Sequence, residues 1–166
     1  MKKVLLLTVA ALMISSVAMA SHFGVYTDGT GSSCLLAPGF TSTVTVCEKF
    51  SAGSTGSRFK VTLPAGSSFF SFNTTFVPIG VLTSDLSLGY GTCLNGTIAL
   101  GQIVAILNPG QIDVLAADSF TNIIFTDCSF GEYPATGGTA WVGTTGPCNE
   151  LATESSTWGS VKALYR

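Results

Sequence analysis

Four carboxylic acids in the second half of the chain are the first candidates for chemistry. Two such groups roughly 5 to 9.5 Å apart can hydrolyse a glycosidic bond, one as an acid and the other as a base or nucleophile. The candidates are Asp113, Asp118, Asp127 and Glu132. Glycosidase sites usually add aromatic subsites on a larger scaffold. We therefore interpret these acids as a solvated rim and predict no catalytic residue.

The single histidine argues against nucleophilic catalysis. Ser-His-Asp and Cys-His sites need a buried, oriented imidazole. His22 lies near the expected start of the mature chain, where residues are usually mobile. We expect His22 to be solvated and the protein not to be an enzyme.

Metal and phosphate motifs are missing from the sequence. Asp28 and the four acids named above could bind Ca²⁺ through oxygen, but no D-x-D-x-D-G loop is present. The cysteines lack C-x-x-C spacing. The glycine-rich "DGTGSS" lacks the lysine and the following helix of a P-loop. These observations predict no metal, no cofactor and a simple turn at "DGTGSS".

Two aromatic residues could form a sugar-binding platform on an exposed sheet face. They are Tyr133 in "GEYPATGG" and Trp141 in "GGTAWVG". The other interpretation, which we favour, is that Trp141 packs in the core or over a neighbouring disulfide.

The five cysteines predict a disulfide framework, because the chain begins like an exported protein. Cys47 shares the outward face of the strand "TSTVTVCEKF" with its threonines, so we expect it to be the unpaired thiol. The remaining four are Cys34, Cys93, Cys128 and Cys148. They allow three connectivities, of which we prefer Cys34 with Cys93 and Cys128 with Cys148.

The first twenty residues have the three parts of a secretory signal peptide. Lys2 and Lys3 are followed by an apolar stretch and by the small residues Ala18-Met19-Ala20. Cleavage would leave about 146 residues from Ser21, with five basic residues against nine carboxylates. This composition disfavours a nucleic-acid partner, which needs clustered basic residues. No later segment has the length of a membrane span, so we expect an exported protein of the periplasm, the cell surface or the extracellular space.

Short strand-like segments separated by turn residues fill the middle of the chain. "RFKVTL" is the clearest, with Phe59, Val61 and Leu63 predicted to face inward. "DGTGSS", "SAGSTGS", "PAGSS" and "NPGQ" have the composition of turns. The pattern predicts an all-β fold, an antiparallel β-sandwich of cohesin- or immunoglobulin-like type.

Two resemblances accompany this pattern. The order "VTVCEKF…GSRFKVTLPAG…FFSFN…SDLSLGYGTCLNGTIALGQIVAIL" resembles cohesin-type and adhesin sandwich domains, over roughly residues 41–120. The chain with its ending "TWGSVKALYR" is similar to a group of uncharacterised exported bacterial proteins that share a Trp-Gly-x-(Val/Ile)-Lys-x-Leu-Tyr-Arg tail. Neither resemblance implies catalytic residues, and the cysteine set differs from that of cohesins.

The tail is predicted to be a short amphipathic helix. Ser155, Ser156 or Thr157 can cap it, and Gly159 makes it depend on a docking surface. Its apolar face contains Trp158, Val161, Leu164 and Tyr165. This face either packs on the protein itself or is recognised by a partner during or after export.

Together these patterns predict a signal peptide at 1–20, a β-sandwich domain at 21–152 and a helical tail at 153–166. The function that we expect is non-catalytic: a surface or envelope component, structural or binding, whose partner is a protein or a glycan. The alternative is a small carbohydrate- or Ca²⁺-dependent binding module. A glycan array with and without chelator distinguishes the two.

Overall fold

The computed structural model describes residues 21–148, which form ten β-strands and no helix. The predicted signal peptide and the predicted tail helix, with its apolar face, lie outside the described residues. The strands are β1 His22–Tyr26, β2 Leu35–Leu36, β3 Gly39–Thr62, β4 Ser68–Asn73, β5 Val77–Val81, β6 Asp85–Leu107, β7 Gly110–Leu115, β8 Ile123–Asp127, β9 Glu132–Gly137 and β10 Thr139–Val142. The all-β prediction is confirmed for this part of the chain. None of its segments is a helix long and apolar enough to cross a membrane.

Two long strands form the frame of the fold. β3 and β6 pair antiparallel along most of their length, from Gly39 opposite Leu107 to Phe59 opposite Leu86, with several register shifts. Such bulges bend a strand and increase its twist. The first half of β3 therefore pairs with β1, whereas its second half pairs with β8 and β7.

The sheet closes on itself through the first strand. β1 pairs antiparallel with β3 and parallel with β9, and β9 pairs with β8, which returns to β3. All ten strands belong to one connected sheet, in which two short pairings, β1 with β9 and β2 with β10, are parallel. The expectation of purely antiparallel pairing is therefore wrong for these two strand pairs.

The core lies inside this closed sheet. Phe23 and Phe59 form its aromatic centre, with ring centroids 5.5 Å apart. Phe59 and Val61 are fully buried and Leu63 is partly buried against the core, as the alternation in "RFKVTL" predicts. Fully burying a side chain of this size stabilises the fold by about 1.5–3 kcal/mol.

The main errors of the strand prediction concern glycine-rich segments. "SAGSTGS", predicted as a turn, lies inside β3, because its glycines and serines form bulges where β3 bends. The expected break between "LSLGYG" and "GTIALGQIVAIL" is likewise absent, and both segments belong to β6. β9, with the sequence "EYPATG", was not expected as a strand, because proline and glycine disfavour that prediction.

Candidate functional site

A groove crosses the outer face of five strands. Residues that are directly opposite on paired strands project from the same face of the sheet. One row contains Val77, Gly89, Gly56, Thr126 and Glu132. The next contains Ile79, Ser87, Arg58, Ile124 and Pro134. We call this cavity of about 560 Å³ the sheet-face groove.

Two glycines that face each other form its floor. Gly56 lies opposite Gly89, so neither strand projects a side chain at this point. A Cβ atom at Gly56 would lie 2.8 Å from the Leu88 carbonyl oxygen, whereas a Cβ atom at Gly89 would meet nothing within 4 Å. Gly56 is therefore required by strand packing, while Gly89 leaves space that the fold does not use.

The groove is bordered by apolar side chains that remain in solvent. Ile79 is 70% exposed and Phe130 is 79% exposed, and both line the cavity. Val77 and Val81 continue the exposed apolar surface along β5. A contiguous apolar surface of this kind marks an interaction site more often than scattered single residues do.

Phe130 is held at the rim by a strained turn. Its φ angle is 64°, in the left-handed region that few non-glycine residues adopt. The Asp127 carboxylate fixes this turn by accepting hydrogen bonds from the backbone N–H groups of Ser129 and Gly131, at 2.8 and 2.7 Å. Such strain costs on the order of 1–3 kcal/mol and concentrates at functional sites.

Arg58 brings a positive charge into the groove. Its Nε atom donates to Ser87 Oγ at 2.7 Å and lies 3.9 Å from Asp85 Oδ1. The guanidinium carbon lies 4.3 Å from the centroid of the Phe120 ring. These contacts hold the side chain in place while about a third of it stays accessible.

The Cys93–Cys128 disulfide also lines the groove. The strand register explains this pairing. Leu94 on β6 and Asp127 on β8 both lie opposite Ser54 of β3, which brings the next residues, Cys93 and Cys128, together. The second disulfide is Cys34–Cys148. The preferred pairings, Cys34 with Cys93 and Cys128 with Cys148, are wrong, because strand register rather than sequence distance sets the neighbours.

Cys47 is the free thiol, but it does not face solvent. It is fully buried, and its Sγ lies 3.7 Å from the Asp28 carbonyl oxygen. The segment after β1 covers the face of β3 that strand alternation assigned to solvent. Burial, reinforced by the charge of Asp28, raises the pKa of the Cys47 thiol to about 12.

Glu48 is a buried acidic residue that the sequence patterns did not indicate. Its side chain is completely buried, with Ser21 Oγ donating to Oε1 at 2.7 Å and the Tyr90 hydroxyl donating to Oε2 at 2.8 Å. Burial raises the pKa of Glu48, and the hydrogen bonds from Ser21 and Tyr90 partly offset that rise. The pKa of Tyr90 is raised as well, by burial and then by Glu48. Only the unusual position of a glutamate in the β-rich "VTVCEKF" could have indicated it.

His22 is also buried rather than solvated. Its Nδ1 lies 3.0 Å from Thr136 Oγ1, between β1 and β9. The expectation of a mobile chain end is wrong here, because β1 pairs with β3 on one side and β9 on the other. We call β1 the seam strand, since it closes the sheet between these two strands.

The four acids named first have separate local partners. Asp113 accepts a hydrogen bond from Thr139, Asp118 pairs with Lys60 at 2.5 Å, and Asp127 fixes the turn that carries Phe130. Glu132 lies at the groove. Asp28 accepts hydrogen bonds from Ser32 and Thr30, which lower its pKa. Among residues 21–148, no three His, Cys, Asp or Glu side chains converge as metal ligands would.

The two aromatic candidates lie on strands that do not pair with each other. Tyr133 on β9 is about half exposed, and its ring centroid lies 5.7 Å from that of Phe125. Trp141 on β10 packs partly against the core, and its Nε1 donates to the Pro147 carbonyl oxygen at 3.0 Å. Neither ring lines the sheet-face groove.

No protein-family model matches the chain, and no curated protein is significantly similar to it.

Proposed function

We propose that this protein is a non-catalytic, exported surface or envelope component that binds an extended, largely apolar segment of another polypeptide in the sheet-face groove. The observation that carries the proposal is the glycine floor bordered by the exposed side chains of Ile79 and Phe130. An apolar segment entering this space would remove those side chains from water, at a gain of roughly 25 cal/mol per Å².

The open edge of β5 supports a polypeptide as the partner. Within residues 21–148, β5 pairs with β6 alone, so its other edge has no strand beside it. An extended peptide can add to such an edge through backbone hydrogen bonds while its side chains fill neighbouring pockets. Pro78 fits an edge strand, because proline, which lacks an N–H group, is largely confined to edge strands within sheets.

The chemistry of the acids supports a non-catalytic role. Asp113, Asp118 and Asp127 each contact a different local partner, and Glu48 is closed to solvent. Export is supported by the two disulfides, which persist in oxidising compartments, and by the sequence of residues 1–20. The assignment to a two-layered sandwich, and the role of the 153–166 tail in recognition or packing, remain parts of this proposal.

Filling the glycine floor is the direct test. Peptides selected from a displayed library against the native protein are measured by calorimetry with Gly89→Val, which projects a side chain into open space. We expect at least a tenfold loss of affinity, because the valine occupies the floor. Thr97→Val, at an exposed position of β6 that does not line the groove, is the matched control and should bind normally. Equal affinity of Gly89→Val and native protein would exclude the groove as the site.

The carbohydrate- or Ca²⁺-dependent module is the second candidate. Tyr133 on β9 and Trp141 on β10 lie on strands that do not pair with each other, so their placement gives this candidate no support. A glycan array with and without chelator tests it on the same protein. Chelator-sensitive glycan binding that survives Gly89→Val would favour this module over the peptide-binding proposal.

A further inference from the structure

The buried carboxylate of Glu48 contacts the residue at which the mature chain is expected to begin. Ser21 is completely buried and its hydroxyl donates to Glu48 Oε1 at 2.7 Å. The α-nitrogen of Ser21 is three bonds from that hydroxyl oxygen, so it lies within roughly 6 Å of the carboxylate by standard bond lengths. An opposite charge within about 4–6 Å stabilises the ionised form of a carboxylate.

Within residues 21–148, Glu48 has hydrogen-bond donors but no cation to balance it. Both of its oxygens accept hydrogen bonds from neutral hydroxyls, those of Ser21 and Tyr90. Among the described residues it forms no ion pair. A buried carboxylate without a partner of opposite charge is costly, and proteins usually pair such groups.

Hydrolysis of the peptide bond between Ala20 and Ser21 would change this balance. Water adds across the bond, leaving a carboxylate on Ala20 and an ammonium group on Ser21. Where the uncut chain has a neutral amide, the cut chain has a positive charge beside Glu48.

We propose that the α-ammonium group of Ser21, created when the leader is removed, forms a buried ion pair with Glu48 and thereby locks the seam strand β1. The inference rests on the export part of the proposed function. β1 joins β3 to β9, and the Ser21 carbonyl oxygen accepts a hydrogen bond from the Thr136 N–H at 3.0 Å. Strengthening this end of β1 therefore strengthens the closure of the sheet. The folded protein reaches its full free energy of unfolding only after the leader is removed.

The test compares three amino termini on the exported protein. The first protein begins at Ser21, as verified by intact mass, the second has one glycine added before Ser21, and the third has an acetylated α-amine. We expect the second and third to show at least a tenfold lower folding equilibrium constant at pH 7 in urea titrations. Equal constants for all three would overturn the ion pair.

Glu48→Gln in the first two backgrounds supplies a double-mutant cycle. The substitution should lower the folding constant at least tenfold in the protein that begins at Ser21. In the glycine-extended protein it should change that constant by less than about twofold, or raise it. Glu132→Gln, at an exposed glutamate, is the matched control and should act equally in both. Additive effects for Glu48→Gln would contradict the proposal.

The reactivity of the α-amine is a second readout, and it also covers the case in which Glu48→Gln does not fold. At pH 8 the native Ser21 amine should react with an acylating reagent at least tenfold more slowly than the glycine-extended amine. Equal rates would overturn the ion pair. An amino terminus other than Ser21 would also overturn it, by removing the predicted cleavage site, while leaving groove binding to be judged by Gly89→Val.

Discussion

At the scale of single residues, Cys47 shows that exposure depends on what covers a strand. Alternation places Cys47 on the face opposite Val44 and Val46, yet all three are buried. The thiolate is the reactive form of cysteine, and burial suppresses it. The odd cysteine of this chain is therefore a packed core residue in the native protein.

We predict that native Cys47 resists alkylation. With a pKa raised to about 12, almost no thiolate forms at pH 8. Iodoacetamide labelling, followed by mass spectrometry, should be at least a hundredfold slower in native than in urea-unfolded protein. The control is free cysteine in the same buffers. Rapid labelling under native conditions would show that the cover over Cys47 opens readily.

Glu48 should give a protein that lacks an ammonium group on Ser21 a defined pH dependence. Its folded pKa is raised above the ordinary 4.5, so the native protein keeps a proton that the unfolded chain loses. Unfolding then releases a proton, and the free energy of unfolding should fall as the pH rises above about 4.5. We expect urea midpoints of the glycine-extended protein to decrease between pH 4 and pH 7, and Glu48→Gln to remove most of that decrease. A midpoint that rises over this range in a Glu48-dependent way would contradict the assignment.

Among the elements, the two long strands β3 and β6 place different constraints on a pair of facing glycines. Gly56 on β3 and Gly89 on β6 are neighbours, but only Gly56 has a backbone oxygen within 3 Å of a Cβ atom. Packing against Leu88 therefore requires glycine at position 56, whereas at position 89 the fold leaves room for a side chain.

We predict that alanine substitutions separate these two reasons. Gly56→Ala should lower the free energy of unfolding by about 1–3 kcal/mol, because the new methyl group collides with Leu88. Gly89→Ala should be neutral or stabilising by up to about 1 kcal/mol, because a strand glycine is conformationally costly. Urea titration of both variants measures the difference. Similar losses at both positions would mean that Gly89 also serves packing.

At the scale of the whole molecule, the Cys34–Cys148 disulfide closes the longest covalent loop. It spans 114 residues and joins the start of β2 to the segment after β10, beside the parallel pairing of those strands. Cross-links of this kind act mainly by restricting the unfolded chain, and more so for longer loops.

We predict that removing this disulfide costs about 2–5 kcal/mol. The double variant Cys34→Ser and Cys148→Ser should shift the urea midpoint accordingly, with the Cys93–Cys128 bond intact by mass spectrometry. Cys47→Ala, at a cysteine that belongs to neither disulfide, is the control for cysteine replacement itself. A loss below about 1 kcal/mol would show that β2 and β10 are held by strand pairing alone.

Patterns within short segments suffice to predict the class of the fold and many of its strands. Period-two alternation in "RFKVTL" and the apolar "GQIVAIL" identify strands because side chains alternate between faces over a few residues. The same local logic predicted turns at "DGTGSS" and "PAGSS". The sequence also indicated a disulfide framework, because the leader-like first residues and the number of cysteines can be read without knowing the fold.

Tertiary contacts set the disulfide partners, the burial of Cys47, His22 and Glu48, and the existence of the groove. Each depends on which strands lie side by side, and β1, β8 and β9 meet β3 from distant parts of the sequence. Gly56 lies in "SAGSTGS", predicted as a turn, and Gly89 lies in "LSLGYG", predicted as a strand; the register of two bent strands places them opposite each other at the floor of the groove. These strands are far apart in the sequence, so a pattern within one short segment cannot specify which of them become neighbours.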